Sequence, residues 1–259
     1  MKLTYKEIGQ GKTIIFIHSY LWDKDMWNPQ YEYLKRNFRC IGIDLPGHGE
    51  SPEQNISSLN DLATEIKKLI EKLNIDKYIY VGLSVGGMIA PYLYEKDKER
   101  IEKIIIMDSL VGDEPLHTQK LYFDMLDIIE NKKEIPDELI KKIAPMFFKP
   151  TIDRKSSLYL EFEKKLKNIP KKNINMIVKL GRIIFGRENA MNLLKEIKIP
   201  TYFLTGEKDI PRPYFEAELM KKQVLNSKIF KIKNAGHISN LENTKKVNRL
   251  LKKIFENNI

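Results

Sequence analysis

Ser84 stands in Gly-Leu-Ser-Val-Gly, with Gly82 two residues before it and Gly86 two residues after it. The apolar run "YIYVG" precedes the serine and "VGGMIAPYLYE" follows it. The first reads as a strand and the second as a helix. A serine at so tight a strand-to-helix corner takes a strained backbone, and small neighbours at minus two and plus two let strand and helix approach. The corner presents the hydroxyl openly at the carboxyl end of a strand, where open α/β folds bind ligands. It also puts the Val85 N–H at a helix start, facing a developing oxyanion. The alternative is that the glycines only turn the chain and Ser84 caps the helix. The strand before and the helix after favour a nucleophile.

A serine hydroxyl is a weak nucleophile and needs a base and an acid that orients the base. The four histidines are His18, His48, His117 and His237. His237 lies in "NAGHISNLEN", between the last strand run and the last helical run. Asp209 lies in "LTGEKDIPRP", after the preceding strand. Both loops leave the carboxyl ends of strands, the end that carries Ser84. Asp108, which ends the strand run "EKIIIMDS", is a second candidate acid. His18 and His48 read as residues that brace loops.

These residues must be positioned by a scaffold. Strand runs "LTYKEI", "TIIFIH", "FRCIGID", "KYIYVG", "EKIIIMDS", "IPTYFLTG" and "SKIFKIKN" are separated mostly by helical patterns. One such pattern is Leu59, Leu62, Ile66, Leu69, Ile70 and Leu73. The alternation implies a mainly parallel sheet with helices on both faces. From about 112 to 196 strand signals vanish, and helical pieces punctuated by Pro115, Pro136, Pro150 and Pro170 replace them. The expected organisation is a core of 1–111 and 197–259 with a helical cap inserted at 112–196, placed as lids are. Met125, Met146, Phe147, Phe148, Met176 and Phe185 of that insertion are candidates to line an acyl pocket or to pack between its helices. Trp22 and Trp27 are expected to pack the first loop against the cap.

Composition narrows the function class. The 259 residues are 42% hydrophobic, and no run approaches the roughly 18 apolar residues of a membrane span. The net charge is +10, but its lysines are scattered among acidic residues on helical faces, which reads as solvated surface and not as a nucleic-acid site. The N-terminal stretch begins like a strand, not a signal peptide, and the single Cys40 fits a reducing compartment. Both observations point to a cytoplasmic location. Nothing in the chain sets an oligomeric state.

Five ordered segments, "FIHSYLWDKDMW", "IGIDLPGHGES", "YVGLSVGGM", "LTGEKDIP" and "NAGHISNLEN", resemble the α/β-hydrolase fold superfamily over nearly the whole chain. "GLSVGGMIA" with "GHISNLEN" is most similar to its lactonase and carboxylesterase branch, including 3-oxoadipate enol-lactonase-like proteins. The resemblance implies the order Ser84, Asp209, His237 for the catalytic triad, and it favours Asp209 over Asp108 because "GEKD" matches the family position. It implies the Tyr20 N–H as the second oxyanion donor beside Val85. It also implies cleavage of a small-molecule ester or lactone through an acyl-enzyme, with no metal or organic cofactor. C–C bond hydrolysis or thioester cleavage by the same triad, and a receptor that has lost turnover, are the alternatives. The family's usual glycine after His18 is Ser19 here, and the proline that often follows is absent, which argues against perhydrolase chemistry. A serine at position 84 argues against dehalogenase and epoxide-hydrolase chemistry, which the family performs with an aspartate there.

Overall fold

The structure is a computed structural model that describes residues 3–259, so the first two residues of the expected 1–111 segment lie outside it. The chain runs β1 (Tyr5–Ile8), β2 (Lys12–Ile17), α1 (Asn28–Leu34), β3 (Phe38–Ile43), α2 (Leu59–Lys72), β4 (Tyr78–Leu83), α3 (Val85–Asp97) and β5 (Ile101–Met107). It continues through α4 (Leu116–Lys132), α5 (Asp137–Ile143), α6 (Ser157–Lys167), α7 (Lys171–Phe185) and α8 (Met191–Leu194). It closes with β6 (Thr201–Gly206), α9 (Tyr214–Gln223), β7 (Ser227–Ile232), α10 (Ser239–Glu242) and α11 (Thr244–Phe255).

The seven strands form one sheet in the order β1-β3-β2-β4-β5-β6-β7. Only β1 is antiparallel, pairing with β3. The other ladders are parallel, so their carboxyl ends share one edge. Central β4 is buried at every position, as expected of a parallel strand covered on both faces. α2 and α11 each bury one stripe, Leu62, Ile66 and Ile70 in the first and Val247, Leu251 and Ile254 in the second. Among the described residues no helix is long and apolar enough to cross a membrane.

Between β5 and β6 the described residues form helices and turns only. This stretch docks on the loop that follows β2. The Trp22 ring stacks on Phe162 of α6 with centroids 4.4 Å apart and planes 3° from parallel. Asp23 pairs with Lys165 one turn later. The Tyr20 hydroxyl donates to Ile177 O of α7 at 2.8 Å. Trp22 thus packs as the sequence suggests, but Trp27 does not. It is fully buried against Phe16 of β2, centroids 5.1 Å apart, because the turn after Asp23 carries it under the loop.

Phe162 touches Trp22, Phe147 and Phe148 at once. Phe162→Ala would leave an aromatic-sized void at that junction. It is expected to cost about 4 kcal/mol, read as a lower midpoint in urea unfolding.

Candidate active site

The turn after β4 has the geometry its glycines imply. Ser84 has φ 55° and ψ −115°, a conformation L-residues rarely adopt. A Cβ on Gly86 would lie 2.5 Å from Ile17 O, and one on Gly82 would run into the Gly86 carbonyl. Three hydrogen bonds hold the corner. Ser84 N–H donates to Met107 O at 2.9 Å, Ser109 Oγ donates to Ser84 O at 2.7 Å, and the Tyr80 hydroxyl donates to Gly86 O. Ser84 occupies the N-cap position of α3, but its side chain makes no capping bond to the helix. Val85 is the first helical residue, and its N–H has no intrahelical partner to meet.

The loops after β6 and β7 bring Asp209 and His237 to this corner. His237 Nε2 lies 2.9 Å from Ser84 Oγ, and its Nδ1 lies 3.0 Å from Asp209 Oδ2. A carboxylate only accepts, so Nδ1 carries the proton and Nε2 is left to accept from the serine hydroxyl. Asp209 also accepts the Arg212 N–H on Oδ1 at 3.0 Å. The His237 loop is braced from outside the sheet. Ile238 N–H donates to Phe147 O, and Glu242 accepts from the N–H groups of both Gly236 and Lys149.

Asp108, the other candidate acid, does not reach His237. Its Oδ1 accepts the Gly206 N–H at 2.7 Å, and its Oδ2 lies 2.6 Å from Ser239 Oγ. Complete burial holds its carboxyl well above the usual carboxylate range, and the charge of Asp209 adds to this. It is a strut between the ends of β5 and β6 and the start of α10.

Tyr20 lies on the loop after β2. The amides around it are committed: Ser19 N–H to Met26 Sδ, Leu21 N–H to His48 Nε2 and Trp22 N–H to Ser19 O. Its own N–H has no partner among the described residues. His18 and His48 act as braces, as expected. His18 Nε2 accepts the Leu45 N–H at 2.9 Å, and His48 Nε2 accepts the Leu21 N–H at 3.1 Å. Burial and then His18 push His48 down to about 3, so it stays a neutral acceptor. The left-handed residue of the loop is Leu21, at φ 65°, and not Ser19, so a side chain at 19 is accommodated. The Ser19 hydroxyl is buried without a partner among the described residues.

Ser84 and His237 open into a cavity. Met125, Met146, Phe147 and Phe185 line it, as the sequence allows. Phe148 and Met176 do not. Phe148 is fully buried against Tyr159 and Phe162, and Met176 is buried at the Gly47 turn. Sequence reasoning missed Arg212, Tyr122 and Met88 in the wall. Arg212 is three residues beyond Asp209 in "DIPRP", and only its nearness to a candidate acid could have flagged it.

A sequence profile described as the alpha/beta hydrolase fold matches residues 12–244. Pimeloyl-[acyl-carrier protein] methyl ester esterase of Legionella pneumophila is 25% identical, over 94% of this chain and 95% of that protein. 3-Oxoadipate enol-lactonase 1 of Acinetobacter baylyi is 24% identical, over 90% of this chain and 84% of that protein. Among solved structures, a thermophilic esterase from Thermogutta terrifontis superposes with a TM-score of 0.89 at 22% identity. That alignment covers 98% of this chain and 93% of the esterase, a likeness of fold. With a seven-stranded sheet, a strained serine corner and a profile match spanning most of its length, the chain belongs to the α/β-hydrolase family.

Proposed function

We propose that the protein is a serine hydrolase that cleaves a carboxylic ester or lactone of a small molecule through an acyl-enzyme. The observation that carries this reading is the unbroken chain Ser84 Oγ–His237–Asp209, with links of 2.9 and 3.0 Å, at the wall of a largely apolar cavity. The relatives whose printed names specify an ester or lactone support the same substrate class.

Ser84 Oγ attacks the carbonyl carbon while His237 Nε2 takes its proton. Asp209 holds the imidazole through Nδ1–H and stabilises the imidazolium that forms. The Val85 and Tyr20 N–H groups receive the oxyanion. Collapse breaks the bond to the leaving oxygen, which takes the proton from His237. Water, deprotonated by the same nitrogen, then attacks the acyl-enzyme, and collapse breaks the bond to Ser84 Oγ, which takes the proton back from His237 as the acid is released. We infer that residues 112–196 act as a cap over this chemistry, with Met125 and Met146 shaping the acyl site.

Ser84→Ala is expected to cut hydrolysis of a 4-nitrophenyl ester at least about a thousandfold with unfolding unchanged, and to abolish the mass shift produced by a fluorophosphonate probe. Asp209→Asn is expected to lower kcat by about four orders of magnitude, because an amide favours the wrong imidazole tautomer. Asp108→Asn should cost less than tenfold, since Asp108 makes its hydrogen bonds to Gly206 and Ser239 and none to His237. Activity of the purified, folded pair ranks them. Replacing Met146 with Thr removes apolar contact at the acyl site. It should lower the preference for each added methylene, ordinarily about fourfold, across a series of 4-nitrophenyl esters.

A further inference from the structure

Apart from Ser84 and His237, the cavity wall is mostly apolar, and Arg212 is the one cationic side chain in it among the described residues. Arg212 is 4% exposed and belongs to a buried ionic cluster. Glu114 Oε2 accepts from Arg212 Nη2, and from Arg187 Nη1 at 3.0 Å. Glu216 Oε2 lies 3.5 Å from Arg212 Nη1 and makes no hydrogen bond. Two guanidiniums that stay charged therefore share one firmly bound carboxylate and one loosely held carboxyl. A buried cation in that position favours an acceptor supplied from the cavity side.

We propose that Arg212 recognises a carboxylate that the substrate carries in addition to its ester or lactone, so that the preferred substrates are monoesters or lactones of acids bearing a second, free carboxylate. The proposal rests on the serine hydrolase reading above and names its substrate class. Glu216 is the element that gives way. The groups facing it are Arg212 and Asp209 of the loop after β6, Glu114 ahead of α4, Tyr122 of α4 and Arg187 after α7. Burial raises Glu216 to about 7, Glu114 and Asp209 add to the rise, and the arginines oppose it. Tyr122, pushed up to about 12 by burial, stays neutral. Below about pH 7 Glu216 is protonated and the cluster holds excess positive charge for the substrate. Above it the Glu216 carboxylate competes for Arg212, and an anionic substrate binds less well.

The test compares mono-4-nitrophenyl adipate with 4-nitrophenyl hexanoate. Six carbons keep the free carboxylate from attacking its own ester through a five- or six-membered ring. Effects on the Ser84–His237 chemistry are common to both esters and cancel in their kcat/KM ratio. The wild-type protein is expected to favour the adipate ester about tenfold at pH 6, with the ratio falling at least threefold by pH 8. Arg212→Gln should lower the pH 6 ratio at least tenfold. Glu216→Gln should keep the preference and flatten its pH dependence. A wild-type ratio near one, or a ratio that Arg212→Gln leaves unchanged, overturns the proposal. If Arg212→Gln does not fold, a wild-type ratio flat with pH overturns it and the fall removed by Glu216→Gln supports it. If Ser84→Ala still turns over both esters, the hydrolase reading fails separately. Calorimetry of adipate binding to Ser84→Ala then decides the carboxylate site: binding that weakens at least threefold from pH 6 to 8 supports it, and no binding overturns it.

Discussion

The backbones of β4 and α3 meet at closer range than side chains permit, with Gly82 against Gly86 and Gly86 against Ile17 O. That approach forces Ser84 to φ 55°, a conformation costing about 1–3 kcal/mol that persists only where the surroundings over-determine it. They do so from β5 and the residues after it, through Met107 O and Ser109 Oγ. The constraint then travels along the sheet edge. Asp108, next in the chain after Met107, fixes the end of β6 through the Gly206 N–H and the start of α10 through Ser239. Asp209 and His237 stand three residues beyond Gly206 and two before Ser239. One strained corner is thereby coupled, strand by strand, to the two loops that face it.

Asp108 and Asp209 show how neighbours of identical chemistry are set to different tasks. Asp108 is sealed from solvent and opposed by the charge of Asp209, which holds its carboxyl well above the usual carboxylate range, and it serves as a tie through Gly206 and Ser239. Asp209 accepts the His237 N–H on one oxygen and the Arg212 N–H on the other, so both its oxygens serve the loop that faces Ser84.

The sheet and the serine corner were legible because each follows from short-range rules. Alternating apolar runs and glycine at minus two and plus two have few other uses. The helical stretch between β5 and β6 was legible as helices, through its periodicity and its prolines. Its side-chain directions were not. Met146 and Phe148 are two residues apart, yet one lines the cavity and the other is buried against Tyr159. A short 3-10 turn at Ala144–Phe147 sets that difference, and periodicity does not encode it. Asp108 and Asp209 were separable only through family position, since hydrogen-bond partners depend on tertiary packing. Apart from the i,i+4 spacing of Arg212 and Glu216, the Glu114–Arg187–Arg212–Glu216 cluster joins residues from far-apart segments and has no local signature.

The bonds from Ile238 N–H to Phe147 O and from Lys149 N–H to Glu242 make the His237 loop and the helical stretch share a fastening. Local opening of that stretch is therefore not free of consequence for the imidazole. Because Glu242 holds Gly236 and Lys149 together, a displacement of either segment strains the bonds that hold the other.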